Sequence, residues 1–303
     1  MKVASLGRCF LEAHHLESLE RLHGILVEAE GAVQDSEAVE VVMSSGSPVG
    51  AAWLHEHPRV RWALAASAGF DQFDLVAARA AGVVVCHCPD YATQAVAEHT
   101  FGLLLALLRH VPTAAWQVRS GGWAPLPLRG GELAGRTLGV IGFGRIGQRV
   151  AVLARSFGMQ VLAVNRSSSE EQRLRLLRES DVVTLPVPLD ESTRGLIGEE
   201  AIAAMRPGAL LVNTSCGRVV DSEALLKGIR SGKLGGAALD VLEGEPDVSE
   251  SLLLAEPKVL ITPHVGGYTQ ESVARLATAC YEAPVSFARG KPLHIVPPLR
   301  RSA

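Results

Sequence analysis

The stretch RTLGVIGFGRIGQRVAVLARSFG, residues 136–158, constrains the fold more than any other part of the chain. An apolar run, RTLGVIG, ends in the pattern G-x-G-x-x-G at Gly142, Gly144 and Gly147. Beyond it Ile146, Val150, Ala154 and Phe157 recur at helical spacing, and Gly158 supplies a natural helix stop. The glycines permit a tight turn, a close approach of backbone to a pyrophosphate, and close packing of helix on sheet. Phosphates would sit on the N–H groups that open the helix, beside Arg145 and Ile146. The stretch therefore reads as a strand–turn–helix built for a dinucleotide.

Such a turn needs a parallel sheet around it, and the sequence offers one. Further short apolar runs stand at 160–165, 181–187, 209–213, 237–241 and 258–262, most of them separated by helical segments. This alternation implies a doubly wound, mostly parallel sheet. Before it lies a smaller α/β run, with strands expected at 38–45, 59–67 and 82–88 and a helix at 74–82. Residues 93–111, TQAVAEHTFGLLLALLRHV, read as one long buried helix. The Gly- and Pro-rich segment 119–135 marks a boundary after it. A chain of 303 residues has room for two such domains. The residues after Gly290 read as a short, basic, packed or frayed tail.

Composition narrows the function classes. A net charge of −3 gives no pull toward nucleic acid or an anionic membrane. The opening MKVASLGRCFLEAHHLESLE lacks an apolar core of signal-peptide length, and no stretch approaches a membrane span. A cytoplasmic location is expected. The five scattered cysteines, an odd number, argue for free thiols. Cys86, His87 and Cys88 are adjacent, but a strand turns His87 away from both thiols, and no second ligand pair follows. No metal site is expected.

The second strand of a dinucleotide sheet usually ends in an acid that binds the adenosine ribose. Here QVLAVN ends in Asn165, followed by Arg166 and Ser167. No carboxylate stands there to repel a 2′-phosphate, and an arginine is present to bind one. This favours NADP(H) over NAD(H); the plainer reading is that Arg166 is a solvated loop charge. Only about 15 residues separate Asn165 from Asp181, too few for the usual third strand, which is expected to be missing or reduced.

Three later segments lie at strand ends: NTSCGRVVD (213–221), LDVLEGEP (239–246) and ITPHVGGYT (261–269). With GFGRIG, and with ASAGFDQFD (66–74), VAEHTFGLLLALLR (96–109) and SDVVTLPVPLDESTRGLI (180–197), they resemble the D-isomer-specific 2-hydroxyacid dehydrogenase family. The resemblance covers nearly the whole chain. It implies a doubly wound Rossmann-type dinucleotide domain, residues 98–285, inserted in a smaller flavodoxin-like α/β substrate domain, residues 1–97 plus 286–303. The active site is expected between them, and the assembly as a homodimer through the dinucleotide domain. Val187, Pro188, Thr193, Thr214, Ser215, Cys216, His264, Gly266 and Gly267 join the glycine turn and Asn165–Ser167 as expected cofactor contacts.

The resemblance also makes His264 the acid/base and Glu245 its partner. A ketone receiving hydride develops alkoxide character and needs a proton, which histidine can carry near neutral pH. A neighbouring carboxylate orients the ring and favours the imidazolium. Asp240 matches the acceptor for the nicotinamide carboxamide; a turn cap is its plainer reading. The family's third group is an arginine in N-x-x-R-G that clamps the substrate carboxylate. Aligning Asn213, Gly217, Val220 and Asp221 without gaps puts Cys216 there. A thiol has neither the charge nor the bidentate fork. Three readings compete. The substrate differs, with Arg218 or the backbone of Ala68 and Gly69 holding it; or the protein binds cofactor without turnover, as a sensor or partner-binding module; or Cys216 is itself a nucleophile. Keeping both His264 and Glu245 favours a working reductase.

Overall fold

A computed structural model describes residues 1–29 and 35–296 of the chain. From the N-terminus the elements are β1 (Lys2–Leu6), α1 (Ala13–His23), β2 (Leu26–Ala29), β3 (Val39–Ser44), α2 (Ala51–Glu56), β4 (Trp62–Ala65), α3 (Leu75–Ala80) and β5 (Val84–His87). There follow α4 (Thr93–Leu108), α5 (Val111–Arg119), β6 (Thr137–Ile141), α6 (Arg145–Ser156), β7 (Gln160–Val164), α7 (Glu170–Glu179) and β8 (Val182–Thr184). The chain continues through α8 (Glu199–Ala204), β9 (Ala209–Asn213), α9 (Ser222–Arg230), β10 (Leu234–Leu239), β11 (Val259–Ile261) and α10 (Gln270–Ala288). These form two compact units: residues 1–92 with those from Tyr268 onward, and Thr93–Gly267.

In the first unit five parallel strands take the order β2-β1-β3-β4-β5, a flavodoxin-like arrangement. Successive residues of each strand serve opposite faces. Val3, Val41, Met43 and Leu64 pack with Leu19 of α1 and with Leu276, Cys280, Ala283 and Phe287 of α10. Ala4, Val42, Ala63 and Ala65 pack with Leu54 and Ala78 on the other face. Both faces are covered, so the strands read as apolar runs without alternation. The unit returns at Tyr268, earlier than the boundary at 286 expected from sequence, because the apolar face of α10 belongs to this core. The tail then pairs with β5, where the Val296 N–H donates to Val85 O at 2.8 Å. The remainder of the expected tail, 297–303, lies outside the described residues.

The second unit has the order β11-β10-β9-β8-β6-β7, all parallel. One face packs Leu138, Val140, Leu210 and Val212 under α4 and α6; the other packs Val183, Leu211 and Leu239 under α7, α8 and α9. A single helix, α7, joins β7 to β8, and among the described residues no strand lies beyond β7. The expected long helix over 93–111 is instead two. Pro112 has no N–H for the carbonyl of Leu108, which accepts from the Gly131 N–H at 3.2 Å. His110 takes a left-handed φ of 54° at the break. Among the described residues no helix is long and apolar enough to cross a membrane.

Candidate active site

Every expected site residue of the second unit lies at or just beyond the carboxyl end of a sheet strand. The chain reverses direction across this sheet between β6 and β8, and open α/β sheets bind ligands in the crevice at such a point. Read across the strand ends, the order is His264 (β11), Asp240 and Glu245 (β10), Thr214–Arg218 (β9), Val187–Thr193 (β8), the glycine turn (β6) and Asn165–Ser167 (β7). An elongated ligand lying along this edge would meet them in that order.

The three glycines of the turn do different work. Gly142 has φ 105°, and a Cβ there would stand 2.4 Å from Pro186 O, so only glycine fits. A Cβ on Gly147 would meet Gly142 O at 2.1 Å, so the helix can approach the turn only without a side chain. At Gly144, by contrast, nothing lies within 4 Å. That open face, at the N-cap of α6, is where a pyrophosphate could reach bare backbone. The residues present therefore fit a dinucleotide.

Beyond β7, Asn165 Oδ1 accepts from the Ser167 N–H at 3.0 Å and from Ser167 Oγ at 2.7 Å. Arg166 is not a free loop charge: its Nη2 donates to Asp190 Oδ2 at 3.1 Å and to Ser192 Oγ at 3.0 Å. Thr193 Oγ1 donates to Pro188 O at 2.7 Å, closing the loop after β8.

At the end of β9, buried Asn213 organises the turn. Its Nδ2 donates to Cys216 O at 2.8 Å, and its Oδ1 accepts from the Ser215 N–H at 3.1 Å and Ser215 Oγ at 2.9 Å. Thr214 Oγ1 lies 3.1 Å from Thr100 Oγ1 of α4. Cys216 is half-buried and packs against the apolar core. Arg218 follows in a single 3-10 turn, Gly217–Val219.

Asp240 is the most enclosed acid of the site, at 1% exposure. It accepts from Thr262 Oγ1 at 2.6 Å, the Val265 N–H at 3.0 Å and the Gly266 N–H at 2.7 Å; His99 Nε2 lies 3.2 Å from its Oδ1. Burial pushes its carboxyl up, but the bonds from His99, Thr262, Val265 and Gly266 outweigh that and hold it below the usual carboxylate range. Glycine is needed at 266, where a Cβ would come within 2.8 Å of Asp240 Oδ2. His99 was not expected here. The available signal was a His–Thr pair where the polar start of α4 gives way to its apolar run, whose polar atoms need partners as the helix packs.

His264 Nδ1 lies 3.0 Å from Glu245 Oε1. Its backbone sits at φ 52°, and its N–H donates to Asp240 O at 2.7 Å, tying the ring's position to the acid's strand. In the first unit, Ala68 O lies 2.8 Å from His87 Nδ1, and Gly69 O accepts from Ser67 Oγ at 2.7 Å, after β4. Cys86 and Cys88 are buried in that unit's core. Among the described residues no group of three His, Cys, Asp or Glu side chains is arranged to hold a metal ion.

Comparison with known proteins gives the family and the fold. Residues 101–266 match the family described as D-isomer specific 2-hydroxyacid dehydrogenase, NAD binding domain. The chain is 40% identical over 263 residues to a glyoxylate reductase of Aeropyrum pernix, covering 81% of this chain and 77% of that one. It superposes on the crystal structure of the TT0316 protein from Thermus thermophilus with a TM-score of 0.87 at 34% identity, covering 98% and 100% of the two chains. A glyoxylate reductase from Paecilomyes thermophila gives 0.89 at 28% identity, over 99% of each chain. With a family model over more than half of its length and a relative at 40% identity, the chain belongs to the D-isomer-specific 2-hydroxyacid dehydrogenase family.

Proposed function

We propose that the chain reduces a small carbonyl compound, a 2-keto acid or an atypical ketone, using a nicotinamide dinucleotide, with His264 as the proton donor. The observation that carries this is the His264–Glu245 contact of 3.0 Å, one strand from the Asp240 network. The bound nicotinamide supplies the hydride. His264 gives one proton from Nε2 to the oxygen that becomes the alcohol, while Nδ1 stays on Glu245 and the ring keeps its aim. Asp240, held as a carboxylate, accepts from the carboxamide. The glycine turn with Arg145 and Ile146 receives the pyrophosphate. Val187, Pro188, Thr193, Thr214, Ser215, Gly266 and Gly267 line the remaining path. Thr93–Gly267 acts as the dinucleotide unit and the first unit as the substrate unit.

Cys216 stands where the resemblance places an arginine that clamps a substrate carboxylate. Its core packing supports a structural thiol rather than a nucleophile. Losing such a clamp costs roughly 3 kcal/mol on an ordinary 2-keto acid. Arg218, in the next turn, is the replacement this unit offers, and the backbone N–H groups of Ala68 and Gly69 are the carboxylate-binding groups the first unit offers. NADP(H) is favoured over NAD(H), since the Asn165–Ser167 turn presents no carboxylate of its own. A cytoplasmic homodimer is the proposed assembly. Val111, Trp116, Val118, Trp123 and Leu126, each more than half exposed, form an apolar stretch of the dinucleotide unit that a second copy would cover. A sensor without turnover is not favoured, because the relatives are reductases.

The test is NADPH and NADH oxidation by the purified protein with glyoxylate, hydroxypyruvate and non-acid ketones. Turnover with at least one is expected, lost in His264→Ala, and glyoxylate reduction should rise in Cys216→Arg. Undiminished turnover in His264→Ala, or tight NADPH binding with no oxidation by any candidate, would overturn the proposal.

A further inference from the structure

The sheet order sets β6 between β7 and β8. The loops that follow β7 and β8 therefore stand on either side of the glycine turn. Arg166 joins them: its guanidinium, in the first loop, donates to Asp190 Oδ2 and Ser192 Oγ of the second, at 3.1 and 3.0 Å. The loop after β8 lies directly against the glycine turn, since a Cβ on Gly142 would be 2.7 Å from Val187 Cγ1.

Asp190 is fixed independently of Arg166. Its Oδ1 accepts from the Ser192 N–H at 2.8 Å and Ser192 Oγ at 2.6 Å. Its own N–H donates to Thr193 Oγ1 at 2.8 Å. Partial burial works against ionisation, but these bonds and the guanidinium outweigh it and keep the carboxyl below its usual range. Arg166 can move away from this acid, because it is 75% exposed on a long side chain. The acid, locked in its turn, stays where it is.

We infer that Asp190 is a specificity-determining residue that limits how strongly the chain prefers a 2′-phosphorylated dinucleotide over a plain one. This rests on the reading that the Asn165–Ser167 turn receives the adenosine ribose. A 2′-phosphate brings nearly two negative charges to Arg166, but the cation arrives already paired with a fixed carboxylate. The phosphate therefore meets a pair of nearly zero net charge rather than an isolated arginine, and must share the guanidinium donors with Asp190 and Ser192. A plain ribose gains and loses little from the same pair. The missing acid at the end of β7 is thus partly restored from the neighbouring loop, as a brake on NADP(H) selectivity.

The experiment is direct titration of NADPH and NADH, by nicotinamide fluorescence, into wild type, Asp190→Asn and Arg166→Ala. Asparagine keeps an Oδ1 acceptor for Ser192, so the turn is retained. In Asp190→Asn the NADPH Kd should fall about threefold to tenfold, the scale of one partly solvated charge, and NADH should change less than about twofold. The gain should shrink as salt is raised. Arg166→Ala should weaken NADPH and spare NADH. An unchanged Kd ratio in Asp190→Asn, or a shift produced wholly by weaker NADH binding, overturns the inference while leaving the reductase reading standing. Wild-type protein that binds neither dinucleotide overturns both.

Discussion

Gly217→Ala is the substitution whose consequences the structure defines most sharply. Gly217 is buried directly after Cys216, and a Cβ built on it would lie 2.0 Å from the carbonyl carbon of Leu242 and 2.3 Å from both Leu242 O and Glu243 N. All three are backbone atoms, so no rotamer change relieves the clash. Ordinary van der Waals contact needs roughly 1.4 Å more separation between the two segments. Overpacking of this kind costs about 1–3 kcal/mol. A functional cost of similar size comes with it. Leu242–Glu243 leads within two residues to Glu245, so the displacement falls on the partner of His264 or on the Cys216 turn. A misplacement of about 1 Å at reacting groups costs on the order of 100-fold in rate. The assay is kcat/KM with the best substrate beside a urea-unfolding midpoint. A loss near 100-fold with a modest drop in midpoint is expected. Wild-type values for both would refute the claim that these two loops set each other's position by backbone contact.

The remaining predictions follow from burial and charge. Gly102→Ala places a methyl on an exposed position inside α4 with nothing within 4 Å, and should raise stability by about 0.5–1 kcal/mol in the same unfolding assay. Asp240→Asn replaces one acceptor oxygen with a donor facing other donors, and should cost about 3 kcal/mol at neutral pH. Because the folded protein holds this carboxyl low, the wild-type advantage is complete above the unfolded value of about 3.9. It should close as pH falls through the lower folded value, read as converging unfolding midpoints. In native protein treated with iodoacetamide near pH ~8, exposed Cys9 should label first. Cys86, pushed up to about 12 by burial, and Cys280, raised by its hydrogen bond with Cys88 and by burial, should stay protected until denaturation, as peptide mass spectrometry would report.

What was legible in the sequence was whatever a local pattern encodes. The glycine turn and the strands around it are continuous apolar runs, because both faces of the sheet are covered. The strand ends could be found because Asn213, Asp240 and His264 each stand at or just past the end of such a run. The shortfall between Asn165 and Asp181 was enough to anticipate the missing strand. Local pattern failed for β1 and β2: KVASL is short and carries a buried serine, and Leu26–Ala29 is an edge strand with no fully buried residue. The break at His110 had its signal in Pro112, outweighed by the apolar run before it. His99 lies 141 residues from Asp240, and Arg166 lies 24 from Asp190. Such pairings depend on strand order, which no local window contains. The return of the chain at Tyr268 was misplaced for the same reason, since the apolar face of α10 does not say which sheet it will cover.

That return has a consequence for biosynthesis. Thr93–Gly267 is one uninterrupted stretch and can complete its core as soon as it has left the ribosome. The first unit, although translated earlier, lacks α10 on one face of its sheet until Gln270–Ala288 is made. Val3, Val41, Met43 and Leu64 must then wait with an apolar face covered by α1 alone through the synthesis of the entire intervening unit. The portion of the chain made first is the portion that folds last, and during that interval it is the part most open to chaperone binding and to aggregation.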